Sequence, residues 1–91
     1  MEISYAAAKN ERNIAERGLS FELALAFDFQ TALFRTDDRR EYPVERIQAL
    51  GHIGDRLHML VFSETAAGIR VISLRKANKR EVKQYEKAIQ S

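Results

Sequence analysis

The residues best suited to chemistry fall into three groups along the second half of the chain. His52 and His58 flank the pair Gly54-Asp55, and two imidazoles bracketing one phosphodiester can serve as general base and general acid in RNA cleavage. Glu45, Arg46 and Arg75 form a second group. Metal-free cleavage needs the ribose 2′-hydroxyl activated and the phosphorane charge neutralised, and guanidinium groups fixed in a partly desolvated cleft supply the second requirement. Arg46 and Arg75 fit that task, with Glu45 as the candidate base, although Glu45 and Arg46 fit a cross-strand ion pair equally well. The third group is Arg70, Lys76, Lys79, Arg80, Lys83 and Lys87, a cluster that attracts a polyanion or an acidic protein, or simply forms a solvated helix face. Arg70, Lys76, Lys79 and Arg80 are its candidate nucleic-acid contacts.

Other chemistries find little support. The chain has no cysteine, which removes thiolate metal sites and disulfides. None of Gly18, Gly51, Gly54 and Gly68 belongs to a phosphate-cradling motif, and Ser63 and Ser73 lack a histidine and an acid at triad spacing. Neither a cofactor nor a metal is expected.

Ninety-one residues with 45% hydrophobic and 31% charged side chains make one folded domain, 1–91, with room for one core. The longest apolar run, Leu57 to Phe62, is broken by His58 and is too short to cross a bilayer, so a cytoplasmic protein without membrane contact is expected. The net charge of +2 conceals an asymmetry: residues 1–44 carry 6 basic and 8 acidic groups, net −2, and residues 45–91 carry 9 basic and 5 acidic, net +4.

The elements that must position these groups follow from pattern. Ile3 to Tyr5 alternates, as an edge strand or a docked arm. Ala6 to Arg17 is rich in helix formers, with Ile14 and Ala15 on its apolar side and Gly18 placed as a left-handed cap. Ser20 caps a second helix through Phe27. Thr31 to Thr36 is a first strand, followed by the charged turn Asp37 to Glu41. Val44 to Ile53 and Arg56 to Ser63 form a hairpin about Gly54-Asp55, pairing Leu50 with Met59 and Gln48 with Val61. A third meander strand, Ile69 to Arg75, places Val61 beside Val71 and Met59 beside Ser73. Asn78 and Glu81 form a capping box for a last helix, with Ala77 and Val82 as hydrophobic staple and an apolar stripe of Val82, Tyr85 and Ile89.

The expected fold is therefore α+β, with two N-terminal helices, an antiparallel four-stranded sheet and a C-terminal helix. In this register one sheet face collects Ile47, Ala49, Leu60, Phe62, Ile72 and Leu74. The other collects Arg46, Gln48, Leu50, His52, Met59, Val61, Ser73 and Arg75, a mixed surface whose Leu50 and Met59 suggest cover by a partner. His52 and His58 then lie on opposite faces, which removes them as a pair. His52 alone remains a candidate, on the arginine-bearing face.

Ile3-Ser4-Tyr5 with Lys9, Asn10 and Asn13, then Arg17-Gly18-Leu19-Ser20-Phe21-Glu22, Tyr42 with Glu45-Arg46, Ala49-Leu50-Gly51, Arg56-Leu57, and Arg70-Val71-Ile72-Ser73-Leu74-Arg75-Lys76-Ala77 with Glu81 and Tyr85 together resemble the BrnT toxins of bacterial type II toxin-antitoxin systems. The resemblance implies a RelE-like fold and a growth-arresting ribonuclease. It also implies a hetero-oligomer with a BrnA-like antitoxin, whose ribbon-helix-helix part would carry the only contact with operator DNA. The family commonly has Asp after the aromatic that Tyr5 matches, where this chain has Ala6, so a carboxylate suited to capping the first helix is missing. The alternative outside that family is a non-catalytic basic module that binds nucleic acid or an acidic protein.

Overall fold

The computed structural model describes residues 1–90. Strand β1 (Glu2–Ser4) leads into helix α1 (Ala7–Arg17) and a 3-10 helix (Phe21–Ala26); then come β2 (Leu33–Thr36), β3 (Ile47–Ile53), β4 (Arg56–Glu64), β5 (Gly68–Lys76) and helix α2 (Lys79–Ile89). The strands form one sheet in the order β1-β5-β4-β3-β2. Among the described residues no helix is long and apolar enough to cross a membrane.

The class is α+β, but the expected RelE-like arrangement of two N-terminal helices and four antiparallel strands is corrected twice. First, the sheet has five strands and is mixed, because β1 pairs parallel to β5 with Ile3 opposite Ile69. Gly68 permits this approach: a Cβ there would overlap the Glu2 carbonyl oxygen. Second, the expected second helix is a six-residue 3-10 helix. Its start follows expectation, with the Ser20 hydroxyl accepting from the Glu22 amide. Phe21, Ala24 and Phe27 all reach the core, and tight i to i+3 winding suits so short a segment, whose stability comes from burial rather than length.

The β3–β4 hairpin has the expected register, including Leu50 with Met59 and Gln48 with Val61. Gly54 adopts φ 63° at its turn, a conformation that a Cβ would strain. The β4–β5 pairing differs from expectation. Met59 pairs with Arg75 and Val61 with Ser73, but Phe62 pairs with Val71, so the register shifts between Val61 and Phe62. Ile72 is the extra residue of a β-bulge, and it turns to the face opposite Leu74 instead of sharing one with it.

Each sheet face carries a core. Leu19, Phe21, Ala24 and Phe27 pack on Ala49, Leu60, Phe62, Ile69, Val71 and Leu74. Of these, Phe21, Leu60, Val71 and Leu74 are the largest fully buried side chains, each contributing about 1.5–3 kcal/mol by burial. On the other face Ala77, Val82 and Tyr85 pack on Leu50, Leu57, Met59, Val61 and Ile72. Leu50 and Met59 are thus covered by the chain's own α2 rather than by a partner. Helix α2 begins as expected, with the Asn78 and Glu81 capping box complete.

Helix α1 is held differently. Ile14 is 45% exposed, and the buried residue of this helix is Asn13, whose amide donates to the Leu19 and Leu74 carbonyls at 2.9 Å each. Asn10 Oδ1 accepts from the Phe21 amide at 2.7 Å. Polar stitching thus does what an apolar stripe does elsewhere. Gly18 provides the left-handed C-cap with φ 69°, whereas Ala6 sits at the N-cap with extended backbone and no side-chain cap bond. Since only the capping oxygen is missing, Ala6→Asp is expected to stabilise the protein by about 0.5–2 kcal/mol. An unchanged urea midpoint would show that the α1 terminus does not limit stability.

Candidate active site

On the α2 side of the sheet, beside the helix, lies a cleft of about 400 Å³. Its floor is the cross-strand row Gln48, Val61 and Ser73 together with Met59 and the bulged Ile72. Its walls carry five arginines, Arg17, Arg35, Arg39, Arg46 and Arg75, and one carboxylate, Glu81. These arginines come from α1, β2, the β2–β3 loop, the approach to β3, and β5.

Each guanidinium is held by a different partner. Arg75 makes two 2.8 Å bonds to Glu81, a fork that fixes it bidentately. The Glu81 carboxylate raises the Arg75 pKa above its ordinary value, and the Arg75 bonds in turn lower that of Glu81 against the cost of burial. Arg39 makes a matching fork to Asp37, also at 2.8 Å. The Arg35 guanidinium donates to Gln48 Oε1 at 3.1 Å. Arg17 is within hydrogen-bond range of Asn13 Oδ1, Ser73 Oγ and the Leu74 carbonyl at 3.3–3.4 Å. The guanidinium carbon of Arg46 lies 4.0 Å from the centroid of the Tyr42 ring, a cation–π contact.

Five guanidiniums thus face two paired carboxylates, Asp37 and Glu81. The other three, on Arg17, Arg35 and Arg46, form no ion pair among the described residues, although Arg35 is near enough to Glu81 to help lower its pKa. Uncompensated cations converging on one cleft attract phosphate and stabilise negative charge that develops there.

The structure brings together two of the four expected catalytic residues, Arg46 and Arg75. Glu45 is exposed, and its carbonyl accepts from Ser63 Oγ; its side chain is not part of the cleft lining. His52 also lies outside the lining, packed edge-on against Tyr85 with ring centroids 5.3 Å apart. His58 is 4% exposed on the opposite face, Nδ1 at 2.8 Å from the Arg56 carbonyl oxygen, and burial lowers its pKa. Tyr85 is a core residue whose hydroxyl donates to the Thr31 carbonyl. Of the expected nucleic-acid contacts, Lys79 and Arg80 lie with Lys83 and Lys87 along one side of α2. Arg70 and Lys76 are exposed on β5.

Arg17, Arg35 and Arg39 were not among the expected site residues. Arg17 stood as the last residue of the expected first helix, and Arg39 as part of the charged turn Asp37 to Glu41. Arg35 becomes visible only once β2 is registered on β3, opposite Gln48.

Residues 5–81 match the family model described as the ribonuclease toxin, BrnT, of type II toxin-antitoxin systems. A search of curated proteins gives no match. The matched span contains every residue of the cleft.

The charged turn Asp37 to Glu41 is anchored inward by Asp37, which is 3% exposed. Bonds from Arg39 hold its carboxyl at a pKa of about 2, below the ordinary 3.8. A carboxyl depressed by folding adds stability above its unfolded pKa and loses that contribution as pH falls through the folded value. The stability gap between wild type and Asp37→Asn is therefore expected to be full near pH 5 and to close on descent toward pH 2. Urea melts at stepped pH would check this, and a constant gap would rule out the Asp37–Arg39 pair as its source.

Proposed function

Because the chain belongs to the BrnT family of ribonuclease toxins of type II toxin-antitoxin systems, we propose that its arginine cleft is where RNA is cut, without a metal ion. The observation that carries this reading is the convergence of five guanidiniums on one cleft, only two of them neutralised by carboxylates. Such a lining repels a divalent cation and suits a phosphate. The 2′-hydroxyl loses its proton to solvent water as its oxygen bonds to the adjacent phosphorus, the bond to the 5′-oxygen breaks and that oxygen takes a proton from water, and the extra negative charge of the phosphorane falls on the non-bridging oxygens. Arg46 and Arg75 neutralise it there. Glu81 positions Arg75 through its fork and, being ionised and so paired, is a weak base. Glu45 and His52, outside the lining, are assigned at most a secondary share in proton transfer. Catalysis is thus chiefly electrostatic.

Membership of the family implies an antitoxin partner. We infer that it is BrnA-like, that toxin and antitoxin form a hetero-oligomer, and that operator DNA is reached only through the antitoxin. Release from the antitoxin would let the toxin arrest growth by cleaving RNA.

The decisive assay is cleavage of bulk RNA in EDTA by the antitoxin-free protein. Arg46→Ala and Arg75→Ala should each lower the rate about 10²–10³-fold, the usual cost of removing a donor to a developing oxyanion. Glu45→Gln and His52→Ala should cost less. Wild type that leaves RNA intact in EDTA would end the metal-free reading and favour a binding module.

Flanking RNA is expected to follow Arg70, Lys76 and the α2 side that carries Lys79 and Arg80. The double variant Lys79→Ala/Arg80→Ala should weaken binding and flatten the slope of log K against log salt by about 0.7 for each phosphate that the variant leaves unneutralised. An unchanged slope would remove this helix from the path.

A further inference from the structure

A second hollow, of about 350 Å³, opens beside the arginine cleft and shares Arg46 and Ile72 with it. That volume falls in the range of small-ligand sites, about 300–1,000 Å³. Tyr42, Lys9, Arg70 and Glu64 also line it. Its smaller polar groups are already engaged: Ser63 Oγ donates to the Glu45 carbonyl, and Thr65 Oγ1 accepts from the Gly68 amide. No hydrogen bond or ion pair engages the side chains of Lys9, Arg70 and Glu64 among the described residues. The hollow therefore offers the Tyr42 ring with the Arg46 guanidinium over it, two further cations and one carboxylate, with Arg46 common to it and the cleft.

We propose that this hollow is a subsite for one nucleobase of single-stranded RNA, next to the phosphate held in the cleft. The base stacks against the Tyr42–Arg46 pair, Lys9 and Arg70 receive the phosphate beyond it, and Glu64 accepts a hydrogen bond from the base edge. Aromatic rings and guanidinium planes are the surfaces on which unpaired RNA bases stack. A carboxylate accepts from an exocyclic amino group, which cytosine, adenine and guanine carry and uracil lacks, so with that group turned to Glu64 those three are favoured, uracil meeting it only through N3–H. A stack and a phosphate site joined through one arginine match the alternation of base and phosphate along a strand. The inference rests on the cleft being the cleavage site, and it adds the element that selects where the strand is cut.

The test uses the full chain freed of antitoxin and fluorescently labelled 2′-O-methyl pentanucleotides, which bind but cannot be cut, with anisotropy as readout. Tyr42→Ala should weaken binding about 5- to 150-fold, the range for loss of one base stack, whereas Tyr42→Phe should retain wild-type affinity. An abasic residue at one position should reduce wild-type affinity by a similar factor, and Tyr42→Ala should then cost nothing more. Glu64→Ala, which removes the acceptor, should erase the preference against uracil at that position. The subsite is overturned if Tyr42→Ala leaves binding unchanged or weakens intact and abasic strands equally. Cleavage of unmodified RNA is followed in parallel. Wild type that cuts RNA while Tyr42→Ala binds normally sinks the subsite alone, and wild type that neither binds nor cuts overturns both the subsite and the cleft.

Discussion

Between Val61 and Phe62 the pairing of β4 with β5 slips by one residue, and the two cores and the cleft all depend on that slip. Side chains alternate along a strand, so an even register would have put Ile72 and Leu74 on one face. With Ile72 as the extra residue, Ile69, Val71 and Leu74 all turn toward the 3-10 helix and the first core. Arg70, Ile72, Ser73 and Arg75 turn the other way, where they line the cleft or the hollow beside it. Without the bulge, Arg70 would be directed at an apolar core and Val71 at water. One residue of slip thus lets a single strand serve a core on one side and a charged surface on the other.

The short reach of β1 has an equally direct effect. It pairs with β5 only from Gly68 to Arg70, which leaves the later part of that sheet edge without a strand neighbour. Unpaired edge groups are a liability, and here side chains satisfy them: Asn13 Nδ2 reaches the Leu74 carbonyl at 2.9 Å, with Arg17 at 3.4 Å. In covering the edge, Arg17 also arrives at Ser73 and so joins the cleft. Sealing the edge and charging the cleft are therefore one act of the same helix. Holding five like charges together costs stability, which the forks of Arg39 and Arg75 and the buried Asp37 offset in part.

Much of the fold could be read from local signals. The Gly54 turn fixed the hairpin register, Gly18 and Asn78 marked helix ends, and Ala6 showed an uncapped start; each is a short-range effect encoded within a few residues. What could not be read was set by distant contacts. A bulge leaves no mark in the Val71-Ile72-Ser73 run, because every one of those residues suits either face of a strand. The parallel docking of β1 depends on Gly68, 66 positions after Glu2. Arg46 and Arg75 were legible as cleft residues because the meander register is local. Arg17, Arg35 and Arg39 were not, because α1, β2 and the β2–β3 loop meet the meander only through tertiary packing.

Glu81 shows why α2 is part of the cleft rather than a cover over it. Its Oε1 accepts from the Asn78 amide at 3.0 Å and from Arg75 at 2.8 Å, while Oε2 takes the second Arg75 bond. The carboxylate that starts the helix is thus the one that aims a guanidinium. One turn further on, Tyr85 is buried against the sheet and bonded to the Thr31 carbonyl. Lifting α2 would expose Tyr85, break its bond to the Thr31 carbonyl and release Arg75 together, so these costs act as a unit. The helix is pinned at its first turn and again at its middle, with its lysine side turned to solvent. Rigidity at the wall is what electrostatic catalysis requires, since a donor already in place needs no reorganisation when charge develops.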